Sequence, residues 1–179
     1  MKKTIGKIFL LGLLGFVAFL ISPTDSKAYT EDNEGDFPVY YFDTKEELDD
    51  FKQNSAVGQL ATNKANIESN MLRASAKSTY KKYYFGSTSF SNYIWVGGSS
   101  RTFNGPQFMD IEKGDRKNLE VWIYDGKGKY LGKTKIKDRS GWVHTDFSYL
   151  TGKGYNYKIK LVNTSSGTQK LVQGELYYF

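Results

Sequence analysis

The chain of 179 residues contains no cysteine, three prolines and a single histidine. Without thiols there can be no disulfide, no thiolate zinc site and no cysteine nucleophile, so a buried core must hold the fold. Three prolines are too few for a proline-rich stalk, and no repeat of solenoid length is apparent. Long apolar runs are also missing, with one exception at the start. Ile8 to Ile21 is apolar and broken only by glycines, behind Lys2, Lys3 and Lys7 and ahead of Ser26-Lys27-Ala28. A basic leader, an apolar stretch and small residues at a cleavage point describe a secretory signal at 1–28, with the cut expected after Ala28. The run is shorter than the roughly 20 residues that span a bilayer comfortably. An exported, soluble bacterial protein of 151 residues is the expectation, long enough to bury a core of its own.

What is present is unevenly placed. Tyr29 to Asn54 carries nine acids against Lys45 and Lys52, a balance of −7, whereas Ser55 to Phe179 carries 19 basic and nine acidic residues, a balance of +10. Such a split suggests an acidic arm over 29–77 and a basic domain over 78–179, the arm being a cover, a linker or a removable prosegment. Within the arm, Phe37 to Phe42 suits a short strand. Thr44 followed by Glu47 then forms a capping box ahead of a helix over 45–53, with Leu48 and Phe51 on one face.

From about Ser78 the pattern becomes strands and turns. In "NLEVWIYDGKGKYLGKTKIKD", a loop at 126–129 sets Asp125 opposite Tyr130. Leu119, Val121 and Ile123 then share a buried face with Tyr130, Thr134 and Ile136. Glu120, Trp122 and Tyr124 share the wet face with Leu131, Lys133 and Lys135, and Glu120 pairs across with Lys135. "YNYKIKLVN" alternates in the same way, and "TQKLVQGELYYF" fits a last strand. "SYLTGKGYNY" is similar to the tyrosine corner of immunoglobulin-like sandwiches, where a ring braces a crossing between sheets. The predicted fold is therefore mainly β: an antiparallel β-sandwich, immunoglobulin-like or jelly-roll-like, preceded by a short strand and helix in an acidic N-terminal arm, with a small barrel as the alternative.

Chemistry has few places to reside. His144 in "SGWVHTDFS" shares a strand face with Trp142 and Asp146, but residues two apart on a strand stand ~7 Å apart, too far for a relay. A surface or rim histidine is expected. "DIEKGD" lacks a full calcium loop, "DGKGK" puts lysines where an EF-hand needs acids, and "GGSSRTFNG" is no phosphate loop. Neither metal nor cofactor is expected, and an enzyme is not.

Two surfaces could bind. "YKKYYFGSTSFSNYIWVGGSSRTF" holds eight rings in 24 residues, and Tyr93 and Trp95 alternate there with Ile94 and Val96. Rings on both faces of a strand demand either a covering layer or an exposed aromatic platform. Lys133, Lys135 and Lys137 alternate on one strand, and Lys158 and Lys160 on another, near Trp122 and Tyr124. Such rows suit an anionic wall polymer such as teichoic acid, an acidic polysaccharide or a membrane surface, while nucleic acid is not expected. The contact residues are expected to be Trp122, Tyr124, Lys133, Lys135, Lys158 and Lys160, with Tyr93 and Trp95 as a separate aromatic option. A non-enzymatic binding module of the cell envelope or medium is the reading. Its rival is an antimicrobial or membrane-active toxin released from an acidic prosegment, and a small hydrolase comes third.

Overall fold

The computed structural model describes residues 29–54 and 80–179. The expected signal peptide, the weakly patterned stretch after Asn54 and the expected boundary at 77/78 lie outside the described residues. Two antiparallel sheets pack face to face as a β-sandwich. One runs β1(Thr30–Asp32), β2(Val39–Phe42), β10(Gly141–Asp146), β7(Phe108–Lys113), β12(Gln169–Tyr178), β3(Lys81–Phe85), with β4(Thr88–Phe90) also on β12. The other runs β5(Tyr93–Trp95), β11(Asn156–Asn163), β8(Leu119–Asp125), β9(Tyr130–Ile136), with β6(Phe103–Asn104) also on β11.

Alternation decides which residues fill the space between the sheets. Leu119, Val121 and Ile123 of β8 and Ile159 and Leu161 of β11 are sealed against Met109, Ile111, Val143 and Leu176 of the facing sheet. Their neighbours Trp122, Tyr124, Lys158 and Lys160 stay part-exposed on the far side. At ~25 cal/mol per Å² of apolar surface removed from water, this inner layer supplies the dominant favourable contribution to the fold. The turn of the β8–β9 hairpin is set by Asp125, whose Oδ1 accepts from the backbone N–H of Lys127 at 2.9 Å and of Lys129 at 2.8 Å. Gly128 takes φ 91° there, where a side chain would be strained. Tyr157 braces the neighbouring loop: its hydroxyl accepts from the Gly152 N–H, five residues upstream, at 2.9 Å. That loop is the crossing from β10 in the larger sheet to β11 in the smaller one.

The hairpin register departs from the sequence expectation at one point. Glu120 opposes Lys135 and Trp122 opposes Lys133, but the pairing then shifts so that Tyr124 opposes Tyr130. Leu131 is the extra residue of a β-bulge, which exchanges the faces of Tyr130 and Leu131. Tyr130 therefore lies outside and Leu131 packs against the core.

The acidic N-terminal residues are built into the sandwich. β2 pairs with β10 along its whole length, and all four of its residues are buried. The helix α1(Lys45–Asn54) is capped as its sequence dictates: the Glu47 N–H donates to Thr44 Oγ1 at 3.2 Å, and Glu47 Oε2 accepts from the Asp43 and Thr44 amides. Leu48 and Phe51 pack on Tyr40, Phe42 and Trp142, so α1 covers the outer face of the larger sheet.

The eight rings between Tyr80 and Phe103 divide between inside and outside. Phe90 and Phe103 are core, Tyr83 and Phe85 pack at its margin, and Tyr84 and Tyr93 are exposed.

Candidate functional site

The smaller sheet carries no covering layer on its outer face among the described residues, and there the expected contact residues come together. Trp95 of β5 opposes Lys160 of β11, Lys160 opposes Trp122 of β8, and Trp122 opposes Lys133 of β9. One row across four strands thus alternates ring, ammonium, ring, ammonium, with steps of about 4.8 Å between strands. On one side of this row lie Tyr93, Glu120 and Lys135, and on the other Lys158 and Tyr124, with Tyr130 beyond. Tyr93 and Trp95, expected as a separate option, belong to the same surface as Trp122 and Tyr124.

The rings support one another. Trp95 meets Tyr124 edge-on at 5.3 Å, Trp122 stacks on Tyr124 at 6.3 Å, and Tyr130 meets both Trp122 and Tyr124 edge-on at 5.7 Å. Offset and edge-on pairs of this kind each contribute ~0.5–1.5 kcal/mol beyond area burial. The ammonium groups lie over the rings. Lys160 Nζ is 3.9 Å from the Tyr93 centroid, 5.5 Å from Trp95 and 5.4 Å from Trp122, and Lys133 Nζ is 5.3 Å from Trp122. A cation over a π-face at such distances is attracted by the ring quadrupole.

Glu120 fixes the centre of this surface. Its Oε2 accepts from Trp122 Nε1 at 2.7 Å and its Oε1 from Lys133 Nζ at 2.9 Å. The Glu120 hydrogen bond raises the Lys133 pKa above its ordinary value. Lys135 opposes Glu120 in register, yet Lys133 takes the carboxylate, and Lys135 is left exposed with no ion-pair partner among the described residues. Lys158 is anchored by donating to the Ser99 carbonyl at 3.0 Å. Lys137, at the end of the same lysine series, turns instead to Asp32 at 2.8 Å and Glu34 at 3.0 Å.

Sequence reasoning missed two members of the site, Glu120 as the clamp of Trp122 and Tyr130 as a surface ring. The signal for Tyr130 was Gly132, since a glycine inside a strand pattern often marks a bulge.

A second polar cluster is buried under α1. Asp110 is fully buried, and His144, expected at a surface or rim, is 2% exposed among the rings of Tyr40, Phe51 and Phe108. The helix covers that strand face, which alternation alone cannot reveal. Asp110 Oδ1 contacts His144 Nδ1 at 2.7 Å, while its Oδ2 accepts from Lys52 Nζ at 2.7 Å. Lys52 also reaches the Tyr177 hydroxyl at 3.0 Å, and Tyr177 donates to Glu175. Burial alone would raise the Asp110 pKa, but the His144 hydrogen bond and charge, with Lys52, outweigh it and hold the carboxyl low. The geometry bolts helix to sheet, with the imidazole sealed beneath α1. Of the "DIEKGD" acids, Asp115 accepts from the Gln169 side chain and the Lys170 N–H. Among the described residues no group of three or more acids and histidines could hold a metal ion.

No family model matches the chain. No curated protein matches it either. Among solved structures it is similar to a crystal structure of PirA, at 12% identity, covering 59% of this chain and 97% of that one with a TM-score of 0.27. A superposition that loose says nothing of this chain's function.

Proposed function

We propose that this chain is an exported bacterial binding module without catalytic activity, whose uncovered sheet face takes an anionic glycan polymer of the cell envelope. The observation that carries the reading is the row Trp95–Lys160–Trp122–Lys133. Rings two strands apart stand about 9.6 Å apart at the backbone, which suits alternate units of an extended saccharide chain. The intervening ammonium groups suit its phosphate or carboxylate charges. A flat face with rings and cations in register contacts a long polymer at several points, each weak and all cooperative through one chain.

Retention on isolated cell walls tests this. Trp122→Ala should weaken retention by about 2 kcal/mol, near thirtyfold in Kd, as a central aromatic anchor does. Replacing Lys135, Lys158 and Lys160 with glutamine should flatten the salt dependence of what remains. Retention unchanged by both variants would end the proposal.

Export is part of it, carried by the basic leader, the apolar run and the small residues before Tyr29. N-terminal sequencing of the protein from culture medium should start at Tyr29, and a start near Ser78 would favour the toxin-precursor reading. Against that precursor stands the position of β2: its loss would unpair one edge of β10 and strip α1 from Trp142 and His144.

A further inference from the structure

A cleft of about 610 Å³ opens at one end of the sandwich, between the β8–β9 turn and the loop ahead of β11. Its size is that of a small-molecule site, and its walls differ in kind from the outer face. The apolar floor is Leu131 and Leu150, both packed against the core, with Leu131 turned inward by the bulge. Gly132 holds the floor tight, because a Cβ there would lie 3.1 Å from Leu150. Tyr155 stands at the mouth with 70% of its surface exposed. No ring packs against Tyr155 among the described residues.

The rim is polar and electrically balanced, with one acid, Asp125, one base, Lys127, and the side chains of Thr102 and Asn156. Asp125 spends Oδ1 on the turn amides and keeps Oδ2 for another partner. The side chains of Thr102, Lys127 and Asn156 make no hydrogen bond among the described residues. Gly126 lets the turn close on the Asn156 carbonyl, which a Cβ would approach to 3.0 Å.

We propose that this cleft is a second binding site, separate from the outer face, for a single neutral pyranose unit such as the end of a glycan chain. A pyranose has one apolar C–H face and a ring of hydroxyls. The face would stack on the Tyr155 ring and lie over Leu131 and Leu150, and adjacent hydroxyls would pair with the Asp125 carboxylate and the Asn156 amide. A balanced rim gives an anion no advantage, and an aliphatic floor alone would not need four polar side chains around it.

The test is a titration of the purified full chain with methyl glycosides of neutral hexoses and N-acetylhexosamines, followed by NMR. Backbone signals of Thr102, Lys127 and Asn156 should move saturably with one of these sugars, with a Kd of about millimolar. Tyr155→Ala, at an exposed position that should not disturb folding, should weaken that binding about tenfold. Trp122→Ala should leave it unchanged, which separates failure of this site from failure of the outer face. No movement across the panel would overturn the proposal. Movement insensitive to both Tyr155→Ala and Asn156→Ala would do the same, as would movement with short alcohols but not with the glycosides.

Discussion

Replacing Lys52 with methionine isolates the charge that ties α1 to the larger sheet. Methionine keeps the length and packing of the lysine stem while removing its ammonium, so the loss is electrostatic. Lys52 Nζ lies 2.7 Å from a carboxylate with no exposed surface, and its own side chain is 21% exposed. Breaking a buried pair by removing one partner costs ~3–5 kcal/mol. Here His144 still contacts the other carboxylate oxygen, so a loss below that range, about 2–3 kcal/mol, is expected. For a domain of this size that means about 5–10 °C in Tm. Urea unfolding of Lys52→Met, Asp110→Asn and the double variant gives the coupling between the two residues, which should exceed about 1 kcal/mol. The acid limb adds a sign. Asp110 has its folded pKa below the unfolded value, so its contribution is complete above the unfolded pKa of about 4 and is lost as pH falls through the folded one. Without Lys52 the folded pKa rises, and the acid unfolding midpoint must move to higher pH. A destabilisation under about 0.5 kcal/mol with no coupling would refute the bolt.

Other perturbations read other parts of the fold. Burial pushes the Lys113 ammonium down to about 8, with its Nζ donating to the carbonyls of Lys117 and Lys137. The folded state therefore releases this proton first, and wild type should gain stability relative to Lys113→Met as pH rises from about 8 to the unfolded value near 10.4. A Lys113 13Cε titration near 10.4 would contradict it. Thr44→Ala removes the hydroxyl that caps α1 and should cost about 1 kcal/mol in urea unfolding, and no cost would mean the cap is idle. Gly174 lies under the Phe85 ring, where a Cβ would come within 2.1 Å of Cζ. Gly174→Ala should displace that ring and cost ~1–3 kcal/mol, with Phe85 proton shifts as the check.

The alternation of Leu119, Val121 and Ile123 against Glu120, Trp122 and Tyr124 made the sandwich and its wet face legible in the sequence, because a strand's period of two allows only one sorting. The capping box at Thr44 and Glu47 was equally local and equally legible. What stayed hidden depends on which strands meet. Nothing near His144 in the chain says that α1, some ninety residues earlier, will lie over it, so burial turns an apparent rim residue into part of a bolt. The bulge at Leu131 is the same kind of event on a smaller scale, one extra residue that moves Tyr130 from the inside to the outside. The joining of Tyr93 and Trp95 to Trp122 required knowing that β11 sits between β5 and β8.

The three tryptophans offer the most direct measurement. Trp95 and Trp122 lie on the uncovered face, and Trp142 is buried beneath α1 on the other sheet. In an NMR titration with teichoic acid or an acidic polysaccharide, the indole N–H signals of Trp95 and Trp122 should shift together while that of Trp142 stays still. Stationary Trp95 and Trp122 signals across such polymers, or movement confined to Trp142, would contradict the assignment of that face as the contact surface.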